Sequence, residues 1–388
     1  MLVKLGNYLD IKRGPGLPSE NYATEGSLIR LTLGNFNYPN GGFKNNASKQ
    51  DIYYSGNVKK EYILKKGDLI TPLTEQVEGL LGETAWIPED DKYIQNGDIG
   101  LVIPFENVLD KKYCYYLLSS YIIKNQLSAG AQQTKIRHTS PEKIKDCVAP
   151  IPSVDYQRKI GNILYEIDRQ IERNNLMVKK LQVLSQGIFN KFFSNETNHI
   201  SLLDFPYIQI IKPGIDRFEG SKHYIATAEV DNDKVNYNAP LIEYETRENR
   251  ANMQPVKNSV WFAKMKNSIK HIYVSDVDSM FCSNYIFSTG FVGIKCEDNA
   301  FEYLIDFINT PYFEMKKDIL SHGATMEGVN NEDLKSIQIP LPSKDRLIDF
   351  HNKVKELHYQ ITMLNEQTFK LNNLKEKLLP LLINQQLS

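Results

Sequence analysis

The second half of this chain repeats the first half. A Pro-Ile-Pro-Ser motif at residues 150–153 precedes a long amphipathic stretch that ends near Phe193. A Pro-Leu-Pro-Ser motif at residues 340–343 precedes a matching stretch that ends near Leu387. The offset from Pro150 to Pro340 is 190 residues. A repeat this long indicates duplicated domains instead of a short-period solenoid. A protein built from two copies of one module is expected to bind two copies of something else.

Length and composition limit the class of protein. At 388 residues the chain is too long for one ordinary hydrophobic core, so two to three domains are expected. With 41% hydrophobic and 24% charged residues, the composition is that of a folded soluble protein. No run approaches the roughly 18 apolar residues that span a bilayer, and the first residues lack the apolar core of a signal peptide. We therefore expect no membrane partner.

The cysteines indicate the compartment. They are scattered along the chain without the spacing of metal ligands: Cys114, Cys147, Cys282 and Cys296. This pattern predicts reduced, partly buried thiols in a cytoplasmic protein and no metal site.

The charge distribution argues against a chain that coats DNA without selecting a sequence. The formal net charge is -1, and residues 194–343 carry 14 basic against 21 acidic side chains. Any DNA binding must therefore come from local patches, with the acidic excess facing away from phosphate.

Four segments alternate along the chain: a β-rich module at residues 1–153, a helix at 154–193, a second module at 194–343 and a second helix at 344–388. In the first module, short apolar runs at residues 28–33 and 99–103 lie between turn residues and predict strands. A helix is predicted from Asp110 to about Ser128. The fold class is α+β, with two β-rich α/β domains, two long antiparallel coiled-coil helices and a pseudo-twofold internal repeat.

The two long helices carry matching apolar seams. Apolar residues alternate at spacings of four and three, which is the a/d pattern of a coiled coil interrupted at Asn174 and Asn175. Because two seams of equal length occur in one chain, we expect the helices to pair with each other, antiparallel, as a rod with one module at each end. The predicted seam residues are Ile160, Leu164, Ile167, Ile171 and Leu181, with Phe350, Val354, Leu357, Ile361 and Leu371.

Catalytic motifs are present only as fragments. Asp-Phe-Pro-Tyr at residues 204–207 resembles the loop with which amino-methyltransferases hold an exocyclic amine, but no glycine-rich nucleotide loop precedes it. We interpret it as a turn that places Phe205 in the core. Asp-Asp-Lys at residues 90–92 matches a nuclease fragment without a partner carboxylate and is interpreted as a solvated turn. The spacing supports no catalytic residue.

Polar and basic residues near turns are the candidates for reading DNA, because base edges are recognised by Arg, Lys, Asn, Gln, Ser and Thr. For the polar stretch at residues 132–138 the alternative interpretation is a polar surface loop. In the first module the candidates are Lys12, Arg13, Arg30, Thr32, Gln132, Gln133, Thr134, Lys135 and Arg137. In the second module they are Arg217, Lys222, His223, Thr227, Lys264, Lys266 and Thr325.

The order of module, proline motif and helix, repeated twice, resembles the specificity subunit of type I restriction-modification enzymes. Local matches run along nearly the whole chain. They comprise Leu-Gly-Asn-Tyr-Leu-Asp-Ile-Lys-Arg-Gly at residues 5–14, Lys-Gly-Asp-Leu-Ile at 66–70, Gly-Ala-Gln-Gln-Thr-Lys-Ile at 130–136, Ile-Pro-Ser at 151–153 with Gln-Arg-Lys-Ile at 157–160, and residues 184–193. Each motif alone is weak, while their order and duplication are specific.

The resemblance implies two target-recognition domains that each read one half of a split double-stranded DNA sequence, with the helices as a spacer. It also implies binding sites for two methyltransferase subunits and for restriction subunits with translocase and nuclease activity. S-adenosylmethionine, ATP and magnesium are then expected on those partners, and no cofactor and no catalysis in this chain.

Three other interpretations stay open on the sequence. The chain could be a methyltransferase or nuclease with an unusual site, which binding of S-adenosylmethionine by the isolated chain would favour. It could be a coiled-coil adaptor that binds only proteins. It could also be the specificity subunit of a related system in which one partner chain combines methylation and cleavage.

Overall fold

The computed structural model describes residues 2–38, 41–45, 52–129, 137–277, 279–323 and 327–383. By its internal contacts the chain divides into two compact units. Unit 1 combines Met1–Ile171 with Lys370–Ser388, and unit 2 is Glu172–Phe369. Each unit therefore contains one globular module and a stretch of both long helices.

The helices are two long ones and several short ones within the modules. In chain order they are α1 (Lys111–Leu118), α2 (Tyr121–Ala129), α3 (Pro141–Asp146), α4 (Val154–Phe193), α5 (Ser279–Asn284), α6 (Phe301–Ile308), α7 (Pro311–Leu320) and α8 (Lys344–Ile383). α4 and α8 have 40 residues each.

The single helix predicted from Asp110 to about Ser128 is wrong, because the structure has α1 and α2 in its place. Asp110 caps the first helix by accepting a hydrogen bond from the Tyr113 amide (2.9 Å). At the other end the Ser120 hydroxyl donates to the Leu117 carbonyl (2.6 Å) and the Ser119 hydroxyl to the Tyr115 carbonyl (3.2 Å). These side chains compete with helical amides for the same carbonyls, so the helix ends and a new one begins.

The described residues of unit 1 form two four-stranded sheets and two short strand pairs. Its strands are β1 (Leu2–Lys4), β2 (Leu9–Arg13), β3 (Tyr22–Ala23), β4 (Ile29–Arg30), β5 (Tyr53–Tyr54), β6 (Leu69–Pro72), β7 (Thr74–Glu75), β8 (Ala85–Trp86), β9 (Tyr93–Ile94), β10 (Ile99–Pro104), β11 (Arg137–His138) and β12 (Val148–Pro150). The sheets have the orders β2-β10-β6-β8 and β3-β5-β4-β9, and the pairs are β1-β12 and β11-β7.

Unit 2 contains a corresponding set of strands. They are β13 (His199–Ser201), β14 (Ile208–Ile211), β15 (Ser221–Ile225), β16 (Val230–Asp231), β17 (Lys234–Val235), β18 (Leu241–Glu243), β19 (Ala251–Met253), β20 (Ser259–Ala263), β21 (His271–Val274), β22 (Tyr285–Ser288), β23 (Phe291–Cys296) and β24 (Gln338–Pro340). The sheets have the orders β14-β23-β20-β21 and β18-β15-β22-β19, and the pairs are β13-β24 and β16-β17.

The two modules share one topology. The antiparallel sheet β2-β10-β6-β8 corresponds strand by strand to β14-β23-β20-β21. Each second sheet has one parallel pair, β4 with β9 and β15 with β22. The edges differ, since β3 extends the sheet beside β5 in unit 1 while β19 extends it beside β22 in unit 2. The internal repeat is therefore a repeat of structure, and its divergence is concentrated at the second sheet.

The core of unit 1 joins the module to the long helices. Every residue from Tyr113 to Leu118 in α1 is buried, and Ile160 and Leu164 of α4 pack into the same cluster. α4 approaches α1 so closely that a Cβ on Gly161 would lie 2.8 Å from the Tyr113 amide nitrogen. Glycine at this position therefore permits the contact between the two helices.

The core of unit 2 is strongly aromatic. Phe189 and Phe193 of α4 pack against Tyr303 of α6 and Phe350 of α8, with ring centroids 4.8–5.9 Å apart in four of these contacts. All four side chains are nearly inaccessible to solvent. Aromatic contacts of this kind add to the free energy gained by burial itself.

Within each unit, α4 and α8 run antiparallel. In unit 1 the Lys375 ammonium donates to Asp168 (2.6 Å). In unit 2 Asn174 donates to Gln367 and Thr368, both at 3.2 Å. Asn174, which interrupts the apolar seam in the sequence, is buried and so uses its amide to fix the register of this stretch.

The structure leaves none of the predicted seam residues exposed. Ile160, Leu164, Ile167, Phe350, Val354 and Ile361 are buried, and Ile171, Leu181, Leu357 and Leu371 are half-buried. The residues nearest the start of each helix pack on the module before it. The seam residues therefore bury apolar surface against the modules as well as between the helices.

Among the described residues no helix is long and apolar enough to cross a membrane. Cys114, Cys147 and Cys296 are buried free thiols. Burial raises the pKa of the Cys147 thiol to about 11, so its reactive thiolate form is scarce at neutral pH.

Two glycines of α4 provide a matched test of this packing. Gly161→Ala should lower the free energy of unfolding by about 1–3 kcal/mol, because the added methyl group overpacks the contact with α1. Gly187→Ala should raise it by about 0.5–1 kcal/mol, because alanine favours the helix and no packed neighbour lies within 4 Å of the new Cβ among the described residues. Urea denaturation followed by circular dichroism measures both, and stabilisation by Gly161→Ala would contradict the close approach.

Candidate nucleic-acid interface

Two predicted DNA-reading segments of module 1 lie on either side of one buried amide pair. Lys12 and Arg13 end β2 and are exposed. Gln95 donates to the Lys12 carbonyl (2.5 Å), and its neighbour Asn96 donates to the Leu31 carbonyl (3.0 Å). These two hydrogen bonds connect the residues that follow β9 with the end of β2 and with the segment that carries Arg30 and Thr32.

The side chains of Arg30 and Thr32 differ in availability. The Arg30 guanidinium stacks on the Tyr22 ring at 4.6 Å, and its Nε lacks a hydrogen-bond partner among the described residues. Thr32 forms a capping box with Asn35, with its amide 2.8 Å and its hydroxyl 3.2 Å from the Asn35 Oδ1. Thr32 therefore holds the local turn with its hydroxyl, whereas the half-buried Arg30 side chain stacks on Tyr22 and stays partly accessible to solvent.

Arg137 is held by acidic neighbours. It pairs β11 with β7, and its guanidinium lies 3.4 Å from both Glu75 and Glu78. Its charge is therefore largely compensated within the module. The predicted candidates Gln132, Gln133, Thr134 and Lys135 lie outside the described residues, as does Thr325 of module 2.

The first predicted group of module 2 is dispersed into local contacts. Arg217 pairs with Glu245 (2.6 Å) with both side chains exposed, and such a pair contributes little stability. Lys222 lies over the Phe218 ring at 5.0 Å. His223 stacks on Tyr285 (5.2 Å), and its Nδ1 lies 2.6 Å from the Ala239 carbonyl, which indicates a structural role.

Three cations of module 2 meet around the turn that ends in Gly290. The Lys264 amide donates to the Gly290 carbonyl (2.9 Å), and the Lys270 ammonium donates to the Thr227 carbonyl (2.6 Å). A Cβ on Gly290 would lie 2.9 Å from the Thr227 methyl group and 3.5 Å from the Arg250 guanidinium. We call Thr227, Arg250, Lys264, Lys270 and Gly290 the turn cluster.

The turn cluster concentrates positive charge in a module that is acidic overall. Burial, together with the nearby Arg250, lowers the pKa of Lys264 below its usual value. A cation whose charged form is disfavoured in this way gains when an anion such as phosphate approaches. Predicted residues Thr227 and Lys264 come together here, while predicted Lys266 pairs instead with Glu327 (2.5 Å).

Arg250 was missed from the sequence because nothing in its local pattern marks it. It lies in a charged run with Arg247 and Glu248, where a solvated loop is the ordinary interpretation. Only the fold brings it to the cluster, through the Thr289 amide that donates to the Arg250 carbonyl (2.8 Å).

A buried serine, histidine and aspartate also come together, which the sequence spacing did not predict. Ser185 donates to Asp306 (2.6 Å) and lies 2.9 Å from His358 Nε2, which itself lies 3.6 Å from Asp306. In a serine hydrolase the carboxylate binds the imidazole nitrogen opposite the serine. Here both groups face Nε2 and Ser185 is fully buried, so the arrangement is that of a structural cluster between helices.

The two fragments that resemble catalytic motifs make structural contacts. Phe205 of the Asp-Phe-Pro-Tyr turn is buried and stacks on Tyr303 at 5.5 Å. Asp91 of the charged turn pairs with Lys65 (2.6 Å), both exposed. Over the described ranges, no group of three or more His, Cys, Asp or Glu residues could hold a metal ion.

Comparison with known proteins gives concordant matches. A family model described as Type I restriction modification DNA specificity domain matches residues 2–182. The putative type I restriction enzyme MjaX specificity subunit of Methanocaldococcus jannaschii is 22% identical over 377 residues, covering 87% of this chain and 84% of the relative. The crystal structure of the type I restriction-modification system S subunit from M. genitalium has a TM-score of 0.61 and 14% identity, covering 99% of this chain and 96% of that chain.

The duplicated modules and their long helices thus have the fold of a solved type I S subunit. Residues 2–182 match the type I restriction modification DNA specificity domain, and over most of its length the chain is similar to a type I specificity subunit.

The turn cluster generates a titration prediction. Arg250→Gln should raise the pKa of Lys264, because removal of a neighbouring cation favours the charged ammonium. NMR titration of isotope-labelled lysine side chains, with Lys264 assigned through Lys264→Arg, measures the change. Arg217→Gln is the matched control, since Arg217 pairs with Glu245 outside the cluster. An unchanged Lys264 pKa in Arg250→Gln would show that the two cations do not interact.

Proposed function

We propose that this chain is a non-catalytic subunit that reads a split DNA target, one half-site per module, for a complex of other subunits. The observation that carries the proposal is the duplicated topology with different surfaces. The repeated modules carry a stacked arginine in module 1 and the turn cluster in module 2. A shared scaffold with unlike polar groups suits two half-sites of different sequence.

The proposed complex supplies the chemistry. Two methyltransferase subunits would carry S-adenosylmethionine, and restriction subunits would use ATP and magnesium to translocate and cleave DNA. This chain would select the site and recruit these partners in the cytoplasm. The burial of Ser185 and the direct contact of Asp306 with it support a non-catalytic role, because a substrate cannot reach the hydroxyl.

Helix α4 supports a role as spacer. It continues without interruption from residues assigned to unit 1 into residues assigned to unit 2, and α8 continues in the opposite order. Two recognition surfaces on one duplex need a fixed separation and helical phase, which a paired helix can supply better than a flexible linker.

The function is tested by co-expressing the chain with its genomic neighbours, purifying the complex and selecting from a random duplex pool with S-adenosylmethionine present. We expect enrichment of a split motif with a fixed gap, on a complex that contains a methyltransferase. Cleavage by that same partner chain would identify the related system in which methylation and cleavage are fused.

Two results would contradict the proposal. Recovery of partners without any enriched motif would favour a protein adaptor. Binding of S-adenosylmethionine by the isolated chain, with methyl transfer in the absence of partners, would identify an enzyme.

A further inference from the structure

In module 1 the chain beyond the end of β6 forms a short antiparallel ladder with a later segment. Arg137 faces Glu75, His138 faces Thr74, and the Thr139 amide donates to the Leu73 carbonyl (2.9 Å). Arg13, a predicted DNA-reading residue, donates to the Thr139 carbonyl (3.4 Å). We call residues 73–75 with 137–139 the rim ladder of module 1.

Module 2 has an equivalent rim ladder, formed by residues 264–266 with 327–329. The Lys266 amide donates to the Glu327 carbonyl (3.0 Å), the Val329 amide donates to the Lys264 carbonyl (2.9 Å), and Met265 faces Gly328. Lys264 of the turn cluster is therefore itself part of this ladder.

The two ladders occupy the same place in the repeated fold. One directly follows β6 and the other directly follows β20, which are corresponding strands. The first residue of each makes the same backbone contact, since the Leu73 amide donates to the Asp98 carbonyl (2.7 Å) and the Lys264 amide to the Gly290 carbonyl (2.9 Å). Glu75 thus corresponds to Lys266, and Arg137 to Glu327.

Each corresponding pair is an ion pair, but the charges are exchanged. In module 1 the acid is Glu75 on the strand and the base is Arg137 on the returning segment, 3.4 Å apart. In module 2 the base is Lys266 on the strand and the acid is Glu327 on the returning segment, 2.5 Å apart. The feature common to both modules is therefore opposite charge across the ladder, and not positive charge at one position.

We propose that Glu75–Arg137 and Lys266–Glu327 are equivalent positioning ion pairs, each of which fixes the rim ladder of its module and so the base preference at its own half-site. Arg137 and Lys266 then act through the ladder and do not bind phosphate themselves. A residue that bound phosphate in both modules would keep its positive charge at the corresponding position, because phosphate attracts only cations. The inference rests on the proposed function.

Module 2 is the better place for the test. Glu75 is buried and also accepts a hydrogen bond from the Leu81 amide (3.0 Å), so its reversal would leave that amide without an acceptor. Lys266 and Glu327 have side chains 36% and 49% exposed, so either charge can be reversed without burying an unpaired group.

The experiment compares Lys266→Glu, Glu327→Lys and the double reversal in the full chain, purified with its partner subunits. Binding is measured to the duplex that the wild-type complex selects from a random pool, and to duplexes altered in one half-site. Each single reversal should reduce discrimination at half-site 2 about tenfold, since two like charges then face each other, and leave half-site 1 unchanged. The double reversal should return to within about twofold of wild type.

A matched control is available in the same module. Lys335 pairs with Glu332 (2.6 Å) on the surface, so Lys335→Glu reverses one charge of an exposed pair outside the ladder. It should leave both half-sites unchanged. In module 1, Arg137→Gln should weaken discrimination at half-site 1 alone.

The salt dependence distinguishes positioning from direct contact. If Lys266 binds phosphate, Lys266→Glu and the double reversal both lose affinity, and the slope of log affinity against log salt concentration falls by about 1. Either that result or unchanged discrimination by the single reversals would overturn the inference. The proposed function would still hold, provided that the wild-type complex selects a split motif. A wild-type complex that selects no motif would overturn the proposed function as well.

Discussion

The burial of the first turns of each long helix on the module before it is the contact on which the rest of the structure depends. Most of the stability of an amphipathic helix in a protein comes from packing its apolar face, so these helices of 40 residues need a surface that covers that face. In unit 1 Ile160 and Leu164 pack on α1, and Gln157 locks the junction by accepting from the Asp110 amide (2.8 Å). In unit 2 Phe350 and Val354 pack into the aromatic core. Because each unit also contains the end of the other long helix, module and helix pair form one packed body within each unit.

Corresponding positions in the two units carry side chains of different chemistry. In unit 1 the hydroxyl of Tyr116 donates to Asp168 (2.6 Å), which also accepts from Lys375. At the offset of the repeat, these three residues fall on Asp306, His358 and Ser185, which contact one another in unit 2. Each unit thus has one acidic group where a module helix meets both long helices, but it lies on α4 in unit 1 and on α6 in unit 2. The rim ladders show the same divergence, since the charges of their ion pairs are exchanged between the modules. The duplicated scaffold is therefore retained, while the side chains that contact each other at corresponding positions differ between the two units.

The organisation of the chain was predictable because the internal repeat and the apolar seams extend over long stretches of sequence. A repeat of 190 residues between Pro150 and Pro340, and seams with spacings of three and four, survive many local substitutions. The candidate interface was less predictable. Arg137 looks like a DNA-reading residue in the sequence, but its charge is compensated by Glu75 across the ladder, a contact between residues far apart in the chain. Arg250 carries no local signal and reaches Lys264 only through the turn at Gly290. Interactions that the fold assembles from distant segments decide these roles, so a single sequence cannot assign them.

The central claim is that the paired helices set the distance between two half-sites. It is tested most directly by inserting one heptad into α4 after Ile171 and one into α8 after Phe369, which leaves the contacts inside each unit in place and preserves the seam. Seven residues lengthen a helix by about 10 Å, which is about three base pairs of DNA. The complex should then select the same two half-sites with a longer gap, at a length that restores the helical phase between them. Selection of the original gap by the lengthened chain would contradict the central claim.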